Sequence, residues 1–255
     1  FGFYTILLSE CKCEAYAYGH QCCDFSDGTL VCLTPGESIS MKGNNKEFPS
    51  KGWILAFHPD LICGTPLGLN IHNYTFFSYC PEEALHLSLR EKQIILEFLE
   101  RIRQELERCI DRHSKKIISK YIELLLDYCT RFYERQFITR SEVNKKVFRE
   151  FNYLLDNHFN VKVSLSTGVL SDEYCANLLH LSPAYFNDLL KYEIGKEFKE
   201  YIQFKRFEIA KGWLVNTDKT IGQIAQELGF SNSQYFSRLF KKITGCSPNE
   251  FRMPN

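Results

Sequence analysis

Apolar positions change their period along the chain, and the changes mark out its parts. Up to about residue 80 they come in short runs, at 2–8, 29–33, 53–57 and 74–77, separated by Asp27-Gly28, Pro35-Gly36 and Gly43-Asn44-Asn45. Short runs bounded by such turn formers predict the strands of a small sandwich or barrel. Eight of the 14 Gly and four of the 8 Pro fall at or before Gly68, whereas 69–167 holds no Gly and only Pro81. Where breakers vanish, long helices are expected. Pro81-Glu82-Glu83 is read as opening them. Ile94, Ile95, Phe98, Leu99, Ile102 and Leu106 recur at three- and four-residue steps. After a polar break at 111–114, a second helix carries Ile117, Ile118, Tyr121, Ile122, Leu125, Tyr128, Cys129 and Phe132, with Leu124 and Leu126 widening its stripe. A third is expected over 141–158, on Val143, Val147, Phe151, Leu154 and Leu155. The pattern predicts an α+β, two-domain chain: a β-barrel over 1–80, a helical connector over 81–140, and an all-α domain over 141–255. The surplus apolar face within 94–132, including Leu124 and Leu126, is either wedged between neighbouring parts or buried in a homodimer.

The last hundred residues contain a repeat. Ala176 to Ser182, Tyr185-Phe186, Leu190-Lys191 and Gly195 return as Ala225 to Ser231, Tyr235-Phe236, Phe240-Lys241 and Gly245. The internal steps agree, and only the step after the Ser differs, by one residue. Each copy reads as helix-turn-helix. A small Ala permits close helix contact, Ser182 and Ser231 are expected N-caps, Pro183 suits a first helical position, and the Gly ends the second helix. Between the copies, 196–215 is nearly free of breakers and predicts a helix of about 20 residues, roughly 30 Å long. Successive major grooves on one face of DNA lie about 34 Å apart. The spacing therefore suits two reading helices held by a rigid strut in adjacent grooves, with double-stranded DNA as the partner.

Composition narrows the choice. The chain has 255 residues, 44% of them hydrophobic, and 31 basic against 31 acidic side chains. Zero net charge excludes a globally basic nucleic-acid coat. Residues 151–255 hold 12 basic and 11 acidic side chains, while 219–255 hold five and two, so the basic face is local. No apolar run is long enough to span a membrane. The opening residues lack the basic lead and cleavage site of a signal peptide, and the missing initiator Met predicts a trimmed N-terminus. Eleven Cys, odd in number and dispersed, predict reduced thiols in a cytoplasmic protein.

The stretch 221–252, from Ile221-Gly222-Gln223-Ile224-Ala225 through Gly229-Phe230-Ser231 to Pro248-Asn249-Glu250-Phe251-Arg252, resembles the signature of AraC-type (AraC/XylS family) bacterial transcription regulators. The likeness covers about 165–252. More loosely, Leu33-Thr34-Pro35-Gly36 and the run from Gly52-Trp53 to Pro59-Asp60 resemble the cupin-like sensor domain that such regulators carry. The resemblance implies a cytoplasmic DNA-binding regulator, commonly an activator and often a homodimer. It brings with it a small-molecule effector and RNA polymerase as further partners.

Helix geometry leaves Ala184, Tyr185, Asn187, Asp188 and Lys191 on the exposed face of the first reading helix. In the second it leaves Asn232, Ser233, Gln234, Ser237, Arg238 and Lys241. Family correspondence assigns base reading to Ala184, Asn187 and Asp188, and to Ser233, Gln234, Ser237 and Arg238. Arg suits guanine and Gln suits adenine, each through two hydrogen bonds. Asp188 repels phosphates, or pairs with a cation such as Lys191, so the first copy is expected to read weakly. Lys241 and Lys242 are expected at phosphates. Tyr4, Tyr16, Tyr18, Phe25 and Trp53 are either barrel packing or the lining of an effector cavity. No cofactor or catalytic residue is expected: His20, His58 and His72 are far apart, and no phosphate loop or nucleophile elbow occurs. The alternatives left open are a thiol- or metal-dependent sensor or enzyme using Cys11, Cys13, Cys22, Cys23 and Cys32, and a helical module with a partner other than DNA.

Overall fold

The computed structural model describes residues 2–9, 28–37, 52–160 and 170–253. The chain divides into two units: one comprises 1–142 with Leu181–Tyr185, the other Val143–His180 with Phe186–Asn255. It is a mixed α+β chain, with a small antiparallel sheet towards its N-terminus and a helical C-terminal part.

In the first unit, β1 (Tyr4–Ser9), β2 (Gly28–Leu33), β3 (Gly52–Phe57) and β4 (Leu85–Leu87) form an antiparallel sheet in the order β3-β1-β2-β4. Ile6 lies opposite Cys32 and Leu8 opposite Leu30, and all four are buried, as the two-residue alternation of strands requires. β3 is an edge strand, with Ile54 exposed and only Phe57 buried. A Cβ at Gly52 would collide with the Leu8 carbonyl oxygen, so this close strand approach needs glycine. Among the described residues the strands make this one sheet, and the stretches 10–27 and 38–51 lie outside them.

Three expectations for this unit are corrected. The run at 74–77 is a 3-10 turn, Thr75–Ser78, and not a strand. Its adjacent Phe76 and Phe77 are both buried within that single turn. The segment expected to open a helix is a single turn, Pro81–Glu83, followed by β4, whose three residues are all buried. Two short helices, α1 (Pro59–Ile62) and α2 (Pro66–Asn70), stand where only strands were expected; each opens on proline behind a capping side chain, His58 or Thr65.

Helix α3 (Leu89–Leu106) starts at a reciprocal capping box between Ser88 and Glu91. Helix α4 (Ser114–Thr139) buries Ile122, Leu125, Leu126, Cys129 and Tyr133. Leu126 is fully buried, so it belongs to the core and not to an exposed face; Leu124, 44% accessible, stays outside. Position 126 falls one turn from both Ile122 and Cys129 and shares their side of the helix. Arg135 of α4 bridges to Glu91 of α3 at 2.8 Å.

The second unit is helical throughout its described part: α5 (Ser141–Asn160, entered just before the unit begins), α6 (Asp172–Leu178), α7 (Pro183–Ile194), α8 (Phe198–Asn216), α9 (Ile221–Glu227), α10 (Ser233–Thr244) and α11 (Pro248–Arg252). The unit division falls inside α7, after its third residue.

Candidate nucleic-acid interface

Two helix-turn-helix copies, α6–α7 and α9–α10, follow one plan. Ala176 and Ala225 are buried where the helices meet. Each turn passes through a left-handed residue at the same repeat position, His180 at φ 57° in the first copy and Gly229 at φ 74° in the second. Gly195 and Gly245, also left-handed, donate their N–H to the carbonyls of Lys191 and Lys241 at 2.9 Å and stop the reading helices.

Aromatic side chains set each copy on its base. Phe186 of α7 meets Phe151 of α5 edge-on with centroids 4.9 Å apart, and Phe198 and Tyr201 of α8 complete the group. Around α10, Phe236 and Phe240 meet Phe207 of α8, with Phe230 and Phe251 beside them. One helix, α8, thus contributes to both cores. Its 19 residues extend about 28 Å at 1.5 Å each.

The N-terminal caps differ between copies. Ser182 caps α7, accepting the Tyr185 N–H at 3.2 Å. Its own N–H and hydroxyl are both donated to the Glu83 carboxylate, which also takes the Cys80 N–H. Glu83 is 5% accessible, and burial pushes its carboxyl above the usual range against the lowering effect of those bonds. In the second copy the cap is Asn232, whose side chain accepts the Tyr235 N–H at 2.7 Å, and not the expected Ser231. The extra residue between Ser and Tyr moves the cap one place along the chain. That longer step was the one signal available for Asn232.

The expected reading residues fare differently in the two helices. On α10, Ser233, Gln234, Arg238, Lys241 and Lys242 are exposed and Ser237 is half-buried. Gln234 and Arg238 stand one turn apart on one side. Neither Arg238 nor Lys242 makes an ion pair among the described residues. This face offers a paired-donor guanidinium, an amide able to donate and accept, and two ammonium groups near the helix end. On α7, Ala184, Asn187 and Asp188 are half-buried, and the Asn187 amide donates to Asp172 at 3.1 Å. Lys191 is exposed and pairs with Glu197 at 3.2 Å. Tyr185, expected on the exposed face, is 6% accessible and meets Tyr79 and Phe137 with ring centroids 5.2 Å away in each case.

The candidate thiol group lies mostly outside the described residues, at Cys11, Cys13, Cys22 and Cys23. Cys32 is buried in the sheet, with its thiol pushed well above the usual range by burial. Among the described residues no three His, Cys, Asp or Glu side chains gather as metal ligands. No helix there is long and apolar enough to cross a membrane.

Comparison with known proteins places the repeat. A helix-turn-helix domain family matches residues 175–253. An uncharacterized HTH-type transcriptional regulator of Bacillus subtilis, YtdP, is 33% identical over 112 residues, covering 44% of this chain and 14% of its own length. The arabinose operon regulatory protein of Salmonella typhimurium is 32% identical over 101 residues, 40% of this chain and 32% of that protein. The uncharacterized HTH-type transcriptional regulator YijO of Escherichia coli is 24% identical over 225 residues, 88% and 76% of the two chains. The chain therefore spans well under half of the first two relatives. The stretch 175–253, with its duplicated helices, is a helix-turn-helix domain, and there the chain is similar to transcription regulators.

Proposed function

We propose that the protein is a sequence-specific transcription regulator that places α7 and α10 in adjacent major grooves of double-stranded DNA. The observation carrying this reading is the exposed face of α10, where Gln234 and Arg238 share one side and Lys241 and Lys242 follow. Arg238 is assigned to a guanine and Gln234 to an adenine, with Ser233 and Ser237 beside them; Lys241 and Lys242 are assigned to phosphates. Ala184, Asn187 and Asp188 of α7 form the second, weaker reading set. The α8 strut supports this geometry, since its length of about 28 Å approaches the spacing of successive grooves.

The remaining assignments follow from the same reading. The sheet is assigned to a cupin-like sensor that answers a small-molecule effector in the cytoplasm. Ile117 and Leu124, seven residues apart on α4 and both accessible, are assigned to a homodimer contact. RNA polymerase is the partner through which a bound regulator would act.

Selection from a randomised duplex library tests the reading. The expected result is a motif of two short elements about one helical turn apart. Enrichment of no motif, with equal binding to all duplexes, would contradict it.

A further inference from the structure

Arg206, near the middle of α8, is a half-buried cation with no anion paired to it among the described residues. Its guanidinium carbon lies 5.8 Å from the centre of the Phe230 ring. Its terminal nitrogen Nη2 is the nearest group to the place where a Gly229 side chain would begin, 3.7 Å away. The Nε is buried and has no hydrogen-bond partner among the described residues. Among the described residues no carboxylate pairs with Arg206. The titratable group that feels its charge is His158, whose pKa burial lowers first and the Arg206 charge lowers further. Burial also brings the Arg206 pKa below its ordinary value. An aromatic face and a glycine lie beside the guanidinium, and neither is an anion.

Burying an unpaired charge costs more than a cation–π contact returns. The cost calls for a counter-ion that arrives from outside. The side chain is only half-buried, so its terminal nitrogens remain within reach. Gly229 and Phe230 form the turn that leads into α10, and in helix-turn-helix proteins the elements ahead of the reading helix run beside the nucleic-acid backbone. Glycine at 229 also leaves that side of the guanidinium uncovered.

We propose that Arg206 takes a DNA backbone phosphate at the turn of the second copy, and that this phosphate is its missing counter-ion. The inference rests on the DNA-binding reading above. It makes Arg206 a contact that carries affinity but no sequence information.

Arg206→Met and Arg206→Lys in the full chain test it, on a 40-base-pair duplex of random sequence and on the best duplex of the library. Arg206→Met should keep or raise the melting temperature, since it removes an uncompensated charge. It should lower the slope of log affinity against log salt by about one, and weaken both duplexes alike, roughly eightfold at 0.1 M salt. Arg206→Lys should restore the slope. An unchanged slope for Arg206→Met, or a lowered melting temperature with a slope that Arg206→Lys does not restore, overturns the assignment. If the unmodified chain binds neither duplex, the DNA-binding reading itself fails, and this inference with it.

Discussion

The two helix-turn-helix copies share one plan and differ in what surrounds their reading helices. α10 begins at an exposed Asn cap and keeps its Gln234, Arg238 and Lys242 side chains in solvent. α7 begins at a buried Ser182 bonded to a buried carboxylate, its Tyr185 is enclosed by aromatic rings, and Asn187 is already engaged by Asp172. Duplication conserved the supports: the buried Ala, the left-handed turn and the terminal Gly. It did not conserve the chemistry of the exposed face. A reading surface therefore cannot be transferred from one copy to the other by alignment alone.

The largest effect expected is at the α7 cap. Ser182→Ala removes the cap of the Tyr185 N–H and one partner of the buried Glu83 carboxylate, and should cost about 3 kcal/mol in denaturant unfolding. Asn232→Ala at the exposed cap should cost only about 1 kcal/mol. Equal losses would erase the distinction between the copies. Glu83 also gives a signed pH test. Its folded pKa lies above the unfolded one, so it binds more protons when folded, and its contribution declines as pH rises out of the ordinary carboxylate range through the folded value. The stability of the unmodified chain minus that of Glu83→Gln should fall with pH across that window. A difference that rises or stays flat would refute the assignment.

Next in size is binding. Arg238→Ala should cost about 1–3 kcal/mol at the preferred duplex and relax preference at one base pair. Asn187→Ala on α7, whose amide already has a protein partner, should change selection far less. Lys242→Ala should weaken all sequences about equally and reduce the salt slope by about one. The smallest effect concerns the turns. His180 occupies a left-handed conformation that Gly229 adopts without a Cβ penalty. His180→Gly should raise stability by up to about 1 kcal/mol in thermal unfolding, and a loss would mean that the His side chain holds that turn.

Much of this was legible in the sequence, for identifiable reasons. Long helices show as three- and four-residue apolar steps, so α3, α4 and α8 stand close to their expected places. The repeat located both turns and both stops. Short elements carry too few residues to display a period: β4 spans three residues and Thr75–Ser78 four, and both were misread. Burial against a partner distant in sequence is equally silent. Tyr185 looks exposed by helical position until Tyr79 and Phe137 are brought beside it. Nothing local marks Glu83 as the anion beneath Ser182, which lies 99 residues further on. Arg206 reads as an ordinary helix-surface cation, because the ring and the turn that enclose it come more than twenty residues later.

The central claim is that α10 reads sequence sharply while α7 reads it weakly. Selection from a randomised duplex library by the unmodified chain and by Arg238→Ala, at two salt concentrations, addresses it most directly. The account predicts one strongly specified element and one degenerate element about one helical turn apart. Arg238→Ala should then relax a single base pair inside the strong element. If Arg238→Ala leaves every preference intact while weakening all duplexes alike, Arg238 is a phosphate clamp and the account is wrong.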